Sequence, residues 1–125
     1  MPTGPEVNND LYRNQRLSMQ GIATEIGTAT ASSGAATCND LVFQITSEAL
    51  LTAAAAEYTL TLTNSKIAAG DIVLASVDAN GSAGTPGIGG CTVSDGQVII
   101  TVTNLHASAA FDGAIKINGF VIKKL

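Results

Sequence analysis

Strict alternation of apolar and polar side chains is the strongest pattern in this sequence, and it occurs twice. In residues 58–64 (YTLTLTN), Tyr58, Leu60 and Leu62 alternate with threonines, and residues 97–104 (QVIITVTN) repeat the pattern with Val and Ile. A period of two residues places successive side chains on opposite faces of a β-strand. Both segments are therefore predicted as strands with one face in the core and a threonine-rich face in water.

Weaker signals of the same kind predict the other strands. Residues 71–77 (DIVLASV) are apolar on both parities, which predicts cover on both faces of that strand. A weak strand begins at Leu17 and is broken by Gly27, and the last strand is expected to have a bulge or kink at Gly119. The remaining predicted strands are residues 41–46, 91–93 and 113–125.

Small and polar residues predict the connections. Asp95-Gly96 is typical of a hairpin turn, and Asn80-Gly81 is a turn dipeptide inside a glycine-rich stretch. The predicted loops and turns are residues 28–37, 53–56 and 78–90.

The order of these elements predicts the fold class. About seven or eight short strands with turns between them, and no convincing helix, indicate an all-β protein. We expect an antiparallel β-sandwich that is jelly-roll-like. An immunoglobulin-type sandwich fits less well, because no Trp accompanies Cys38 and Cys91. The two alternating segments end in Asn64 and Asn104, which suggests matching places in the fold.

The first sixteen residues differ from the rest. Residues 1–16 contain Pro2 and Pro5, a polar run and no sustained period, which predicts an extended N-terminal arm, with residues 17–125 as the β-sandwich domain. A disordered tail is the alternative, because chain ends are often poorly ordered. If the arm binds a partner, its candidate contact residues are Leu11, Tyr12, Arg13 and Arg16.

Composition narrows the function classes. The chain has 125 residues and a net charge of −4, which argues against nucleic-acid binding, because that function needs a basic surface. No apolar run is long enough for a membrane-spanning helix, and the polar N-terminus does not resemble a secretory signal. Only 4% of the residues are aromatic, so a core of small aliphatic side chains is expected. Two alternatives follow: the sandwich is stable alone, or a partner surface or homo-oligomer (dimer or trimer) supplies part of its stability.

Few residues suggest catalysis. Cys38 and Cys91 are expected to be free thiols, with a disulfide as the alternative, and His106 is expected to be structural. The four aspartates at strand ends and turns (Asp71, Asp78, Asp95 and Asp112) are expected to make local hydrogen bonds. Neither a cofactor nor a metal site is predicted, and we do not expect an enzyme.

Residues 41–125 resemble small β-rich structural proteins encoded near the capsid genes of tailed bacteriophages. The matching segments are 46–64 (TSEALLTAAAAEYTLTLTN), 71–77 and 98–122 (VIITVTNLHASAAFDGAIKINGFVI). The resemblance implies a capsid decoration (cement) protein, made in the host cytoplasm, that binds the outer capsid surface of the virion. Such a protein staples neighbouring copies of the major capsid protein and brings no catalytic residues. A head-fibre or tail component and a carbohydrate-binding adhesin module remain as alternatives.

Overall fold

The structure, a computed structural model, describes residues 25–125. This part of the chain contains β-strands and no helix, so the prediction of an all-β protein is confirmed. The strands are β1 (Gly27–Thr30), β2 (Ala35–Thr37), β3 (Val42–Thr46), β4 (Glu57–Thr63), β5 (Ile72–Asp78), β6 (Pro86–Ser94), β7 (Gln97–Asn104) and β8 (Lys116–Ile122).

The strands form two four-stranded sheets. Sheet A has the order β1-β3-β8-β5, and sheet B has the order β2-β4-β7-β6. Both sheets are mixed, because β1 lies parallel to β3 and β2 lies parallel to β4. The expectation of an antiparallel arrangement is therefore wrong for these two pairs. In each of these pairs the two parallel strands are separated in the chain by one strand of the other sheet.

One buried cluster takes side chains from both sheets. Phe43 and Ile117 come from sheet A, Leu60 and Ile100 come from sheet B, and all four are almost fully inaccessible to water. In β4 and β7 every second side chain is buried, as the alternation predicted. Burying one such large aliphatic side chain contributes about 1.5–3 kcal/mol, so this shared cluster is the main source of stability.

Gly119 lies in the middle of β8 and makes no bulge. It is paired in register with Phe43 on one side and Ala75 on the other, so the bulge predicted at this position is wrong. A Cβ at position 119 would lie 2.0 Å from Cζ of Phe43. The glycine is needed because the phenylalanine ring occupies the space of a side chain. A register shift occurs instead between Ile88 and Gly90 in β6.

Two segments predicted as loops contain strands. Residues 28–37 hold most of β1 and all of β2, and residues 78–90 hold the beginning of β6. A Cβ at Gly27 would lie 2.1 Å from Oδ2 of Asp40, and one at Gly89 would lie 2.6 Å from Oγ1 of Thr103. A side chain at either position would force these neighbouring side chains to move, which favours glycine at both.

Replacing Gly119 with alanine should destabilise the fold, because the new methyl group would overlap the Phe43 ring. Overpacking of this kind costs about 1–3 kcal/mol. Urea denaturation measures the loss as a lower midpoint. Gly113→Ala is the matched control, since no atom lies within 4 Å of the added Cβ. Equal urea midpoints for the two variants would show that packing of the Phe43 ring does not require a glycine at position 119.

Candidate functional site

The loops lie at two ends of the molecule, and a buried asparagine anchors each end. At the first end, which we call the Asn104 end, Nδ2 of Asn104 donates hydrogen bonds to the carbonyls of Thr52 (3.2 Å) and Ala109 (2.8 Å). Its Oδ1 accepts from the backbone N–H groups of Thr85 and His106, both at 3.1 Å. One side chain therefore connects the loops that follow β3, β5 and β7.

Asn64 has the corresponding position at the other end, which we call the Asn64 end. Its Nδ2 donates to the carbonyl of Asp40 (2.7 Å), and its Oδ1 accepts from the N–H of Lys66 (3.0 Å). Because β4 and β7 are antiparallel neighbours, their terminal asparagines reach opposite ends of sheet B. The repeated Asn in the sequence thus marks two equivalent anchors, each 0% exposed.

Sheet A carries large apolar side chains on its outer face. Ile72 and Leu74 of β5 are 56% and 55% exposed, and Ile26 and Ile122 are 49% and 42% exposed. Val42 and Phe120 are half-buried beside them. We call this surface the apolar face: Ile26, Val42, Ile72, Leu74, Phe120 and Ile122.

The alternation of β5 explains this exposure. Val73, Ala75 and Val77 pack against the core, whereas the apolar residues between them point outward. Residues 25–125 therefore cover only one face of β5, and the expected cover on its other face stays a prediction. Both parities are apolar, but only one of them is buried there.

The register of sheet A aligns the apolar face into a row across the strands. Phe120 lies between Val42 on β3 and Leu74 on β5, and Ile26 extends the row from the start of β1. An open depression of about 320 Å³ lies on this row, lined in part by these four side chains. Since Ile72 begins β5, the apolar face lies towards the Asn64 end.

A row of uncharged polar side chains borders the apolar face. Nε2 of Gln44 donates to Oδ1 of Asn118 (2.9 Å), and Nδ2 of Asn118 donates to Oγ of Ser76 (3.4 Å). The first charged pair on this side of the sheet, Lys116 opposite Asp78, comes one step further along. An exposed apolar patch with a polar rim is typical of a surface that binds protein.

The predicted partner-binding residues lie outside the described part of the chain. Leu11, Tyr12, Arg13 and Arg16, the arm of residues 1–16 and the domain boundary at residue 17 all precede Glu25. The described residues begin at Glu25, and the next residue, Ile26, belongs to the apolar face. Sequence reasoning missed the apolar face. Its signal was present in residues 71–77, where apolar side chains occur on both faces of the predicted strand.

The candidate chemical groups have local structural roles. Nδ1 of His106 accepts from the N–H groups of Ser108 (3.0 Å) and Ala109 (2.8 Å), so this ring orders its own loop. Cys38 and Cys91 are both free, and burial raises the pKa of each thiol. In residues 25–125 no three metal-ligating side chains lie together.

The aspartates at strand ends accept hydrogen bonds from loop backbone. The prediction that these bonds are local is confirmed for Asp78 and wrong for Asp112 and Asp95, whose partners lie 29 and 26 residues away in the sequence. Asp78 accepts from the N–H of Asn80 (2.8 Å), and Asp112 accepts from that of Ala83 (2.6 Å). Such bonds hold the loops in place.

No protein-family model, curated protein or solved structure matches this chain. Within residues 25–125 no helix is long and apolar enough to cross a membrane.

An ion pair fastens the C-terminal residues to the Asn64 end. Nζ of Lys123 lies 2.5 Å from Oδ2 of Asp71, and the N–H groups of Lys124 and Ala68 donate to the same carboxylate at 2.9 Å. The hydrogen bond from Lys123, followed by those from the two backbone groups, lowers the pKa of Asp71 to about 2.

This shifted pKa predicts how stability depends on pH. Because the folded-state pKa lies below the ordinary value of 3.8, the ionised carboxylate stabilises the fold above that value, and the contribution is lost as the pH falls towards about 2. In urea denaturation, the wild-type midpoint should fall through this range, whereas that of Asp71→Asn should change less. Glu57→Gln, which removes an exposed carboxylate, is the control, and its urea midpoint should depend on pH as in the wild type. If the urea midpoint of Asp71→Asn fell with pH as steeply as that of the wild type, the pH dependence could not be assigned to Asp71.

Proposed function

We propose that this protein is a structural virion protein that decorates the outer surface of a phage head and staples neighbouring major capsid subunits. The sequence resemblance supplies the class of protein. The observation that carries the proposal is the position of the apolar face beside the point where the N-terminal residues join sheet A. A binding arm that starts there would bring this side of the molecule against the shell.

The exposure of the apolar face supports a role in protein assembly. Soluble monomers seldom leave a contiguous apolar surface in contact with water, and such patches are typical of interaction sites. The bordering row of Gln44, Asn118 and Ser76 is uncharged and already hydrogen-bonded internally, so it can be buried at low cost. A surface of this kind suits a neutral protein segment, whether it comes from this chain or from a partner.

The finer architecture belongs to the same proposal. We infer that the two sheets pack face to face as a β-sandwich, because inward side chains of both join one core cluster. A jelly-roll-like topology stays a prediction, and the parallel pairs β1–β3 and β2–β4 are a departure from the usual antiparallel form.

The arm of residues 1–16 is proposed as the stapling element. Leu11 and Tyr12 would bury apolar surface on a neighbouring capsid subunit, and Arg13 and Arg16 would pair with its carboxylates. Each contact can be weak, because many copies on one shell act together. Assembly of the protein into dimers or trimers, and a role without nucleic acid, membrane or catalysis, stay predictions.

The carbohydrate-binding alternative has less support in the described residues. Sugar sites commonly use several exposed aromatic rings, yet Phe43, Tyr58 and Phe111 are buried, and Phe120 is the one Phe or Tyr ring within residues 25–125 that is partly exposed. The hydroxyl of Tyr58 also donates to Oε2 of Glu48 at 2.9 Å. A head-fibre or tail component differs from a decoration protein only in where it binds, so binding to purified heads separates the two.

Deleting residues 1–16 should leave the fold intact and abolish binding to heads. The core cluster consists of residues beyond that segment, so circular dichroism and the urea midpoint should stay close to wild type. Co-sedimentation with purified heads that lack this protein measures the binding. Leu105→Ser is the control, since this exposed side chain lies at the Asn104 end. Wild-type affinity in the truncated protein would refute the stapling role of the arm.

A further inference from the structure

We infer that residues 17–24 of this chain cover the apolar face of sheet A, and that the proposed arm of residues 1–16 starts from this covered surface. The cover is a property of the free protein. Only the role given to the arm rests on the proposed function.

The need for a cover comes from the apolar face itself. Four of its members, Ile26, Ile72, Leu74 and Ile122, are about half exposed, and an open depression lies on the face. Removing contiguous apolar surface from water is favourable in proportion to its area. Within residues 25–125, no segment supplies that cover.

Chain continuity identifies the occupant. Ile26 belongs to the apolar face, and residue 24 precedes it by only two positions. A tethered segment has a high effective concentration at the surface beside its attachment point. Residues 17–24 therefore compete for this face with an advantage over any second molecule.

The composition of this segment matches the surface. Residues 17–24 (LSMQGIAT) contain Leu17, Met19 and Ile22 and no charged side chain. The unbranched Met19 can adapt to an irregular depression. Residues 1–16, in contrast, carry Glu6, Asp10 and both arginines, and charged groups are costly to bury on an apolar surface.

The length of the segment is also sufficient. Residues 17–24 span up to about 26 Å when extended, at about 3.3 Å per residue. The four strands of sheet A are about 14 Å across, at about 4.8 Å between neighbours. The segment can therefore run from Ile26 over Phe120 to Leu74 and deliver the arm at the β5 edge.

A double-mutant cycle in the full-length protein tests the contact. Met19→Ser and Leu74→Ser are made singly and together, and the unfolding equilibrium constant is measured in urea. If the two side chains share one surface, the second substitution should have at least about a threefold smaller effect when the first is present. Two control pairs, Leu11→Ser with Leu74→Ser and Met19→Ser with Leu51→Ser, should be additive within about twofold.

A second measurement uses the unmodified protein and does not depend on the variants folding. Nuclear Overhauser contacts are expected between methyl groups of Leu17, Met19 or Ile22 and either the Phe120 ring or the Leu74 methyl groups. The absence of such contacts, together with an additive cycle, would overturn the inference.

Each result that contradicts the inference assigns the apolar face to a different binding partner. A dimer or trimer in analytical ultracentrifugation that Leu74→Asp dissociates, with an additive cycle, would assign the face to a second copy and overturn the inference. An additive cycle in a monomer whose head binding is lost in Leu74→Asp would assign the face to the shell, which overturns the inference and leaves the proposed function intact. A coupled cycle in a protein that does not bind heads would instead support the inference and refute the proposed function.

Discussion

Sheet A carries large apolar side chains on both of its faces, and this constraint decides how the protein can be arranged in water. The inner side chains, such as Phe43 and Ile117, complete the core with sheet B. The outer ones, such as Leu74 and Phe120, have no such partner within residues 25–125. The proposals for residues 17–24 and for the shell both start from this exposed apolar face.

The frame that presents this face is held at both ends by buried polar side chains. A protein built of strands without helices has many loop backbone groups to satisfy, and buried groups of this kind need hydrogen-bond partners. Asn104 joins three loops at one end, and Asn64 orders the turn at the other. Together with these anchors, the Asp71–Lys123 pair holds the C-terminal residues at the Asn64 end.

The sequence predicted what depends on local alternation and missed what depends on distant partners. The strands β4 and β7 were predicted because seven or eight residues of alternation are a strong local signal. The strands β1 and β2 have four and three residues, and they exist because β3 and β4 pair with them. The role of Gly119 depends on the Phe43 ring, which no local pattern shows.

The candidate site shows the same division. The apolar parity of residues 71–77 was visible in the sequence, but the choice of the parity that faces the core depends on the whole sheet. The contact residues Leu11, Tyr12, Arg13 and Arg16 remain predictions.

An electron cryomicroscopy map of decorated heads tests the central claim most directly. The account predicts that sheet A faces the shell, that density continuous with Ile26 covers the apolar face, and that residues 1–16 extend over a neighbouring capsid subunit. A map in which the molecule contacts the shell through Leu51 and Leu105 at the Asn104 end, with the apolar face open to solvent, would contradict it.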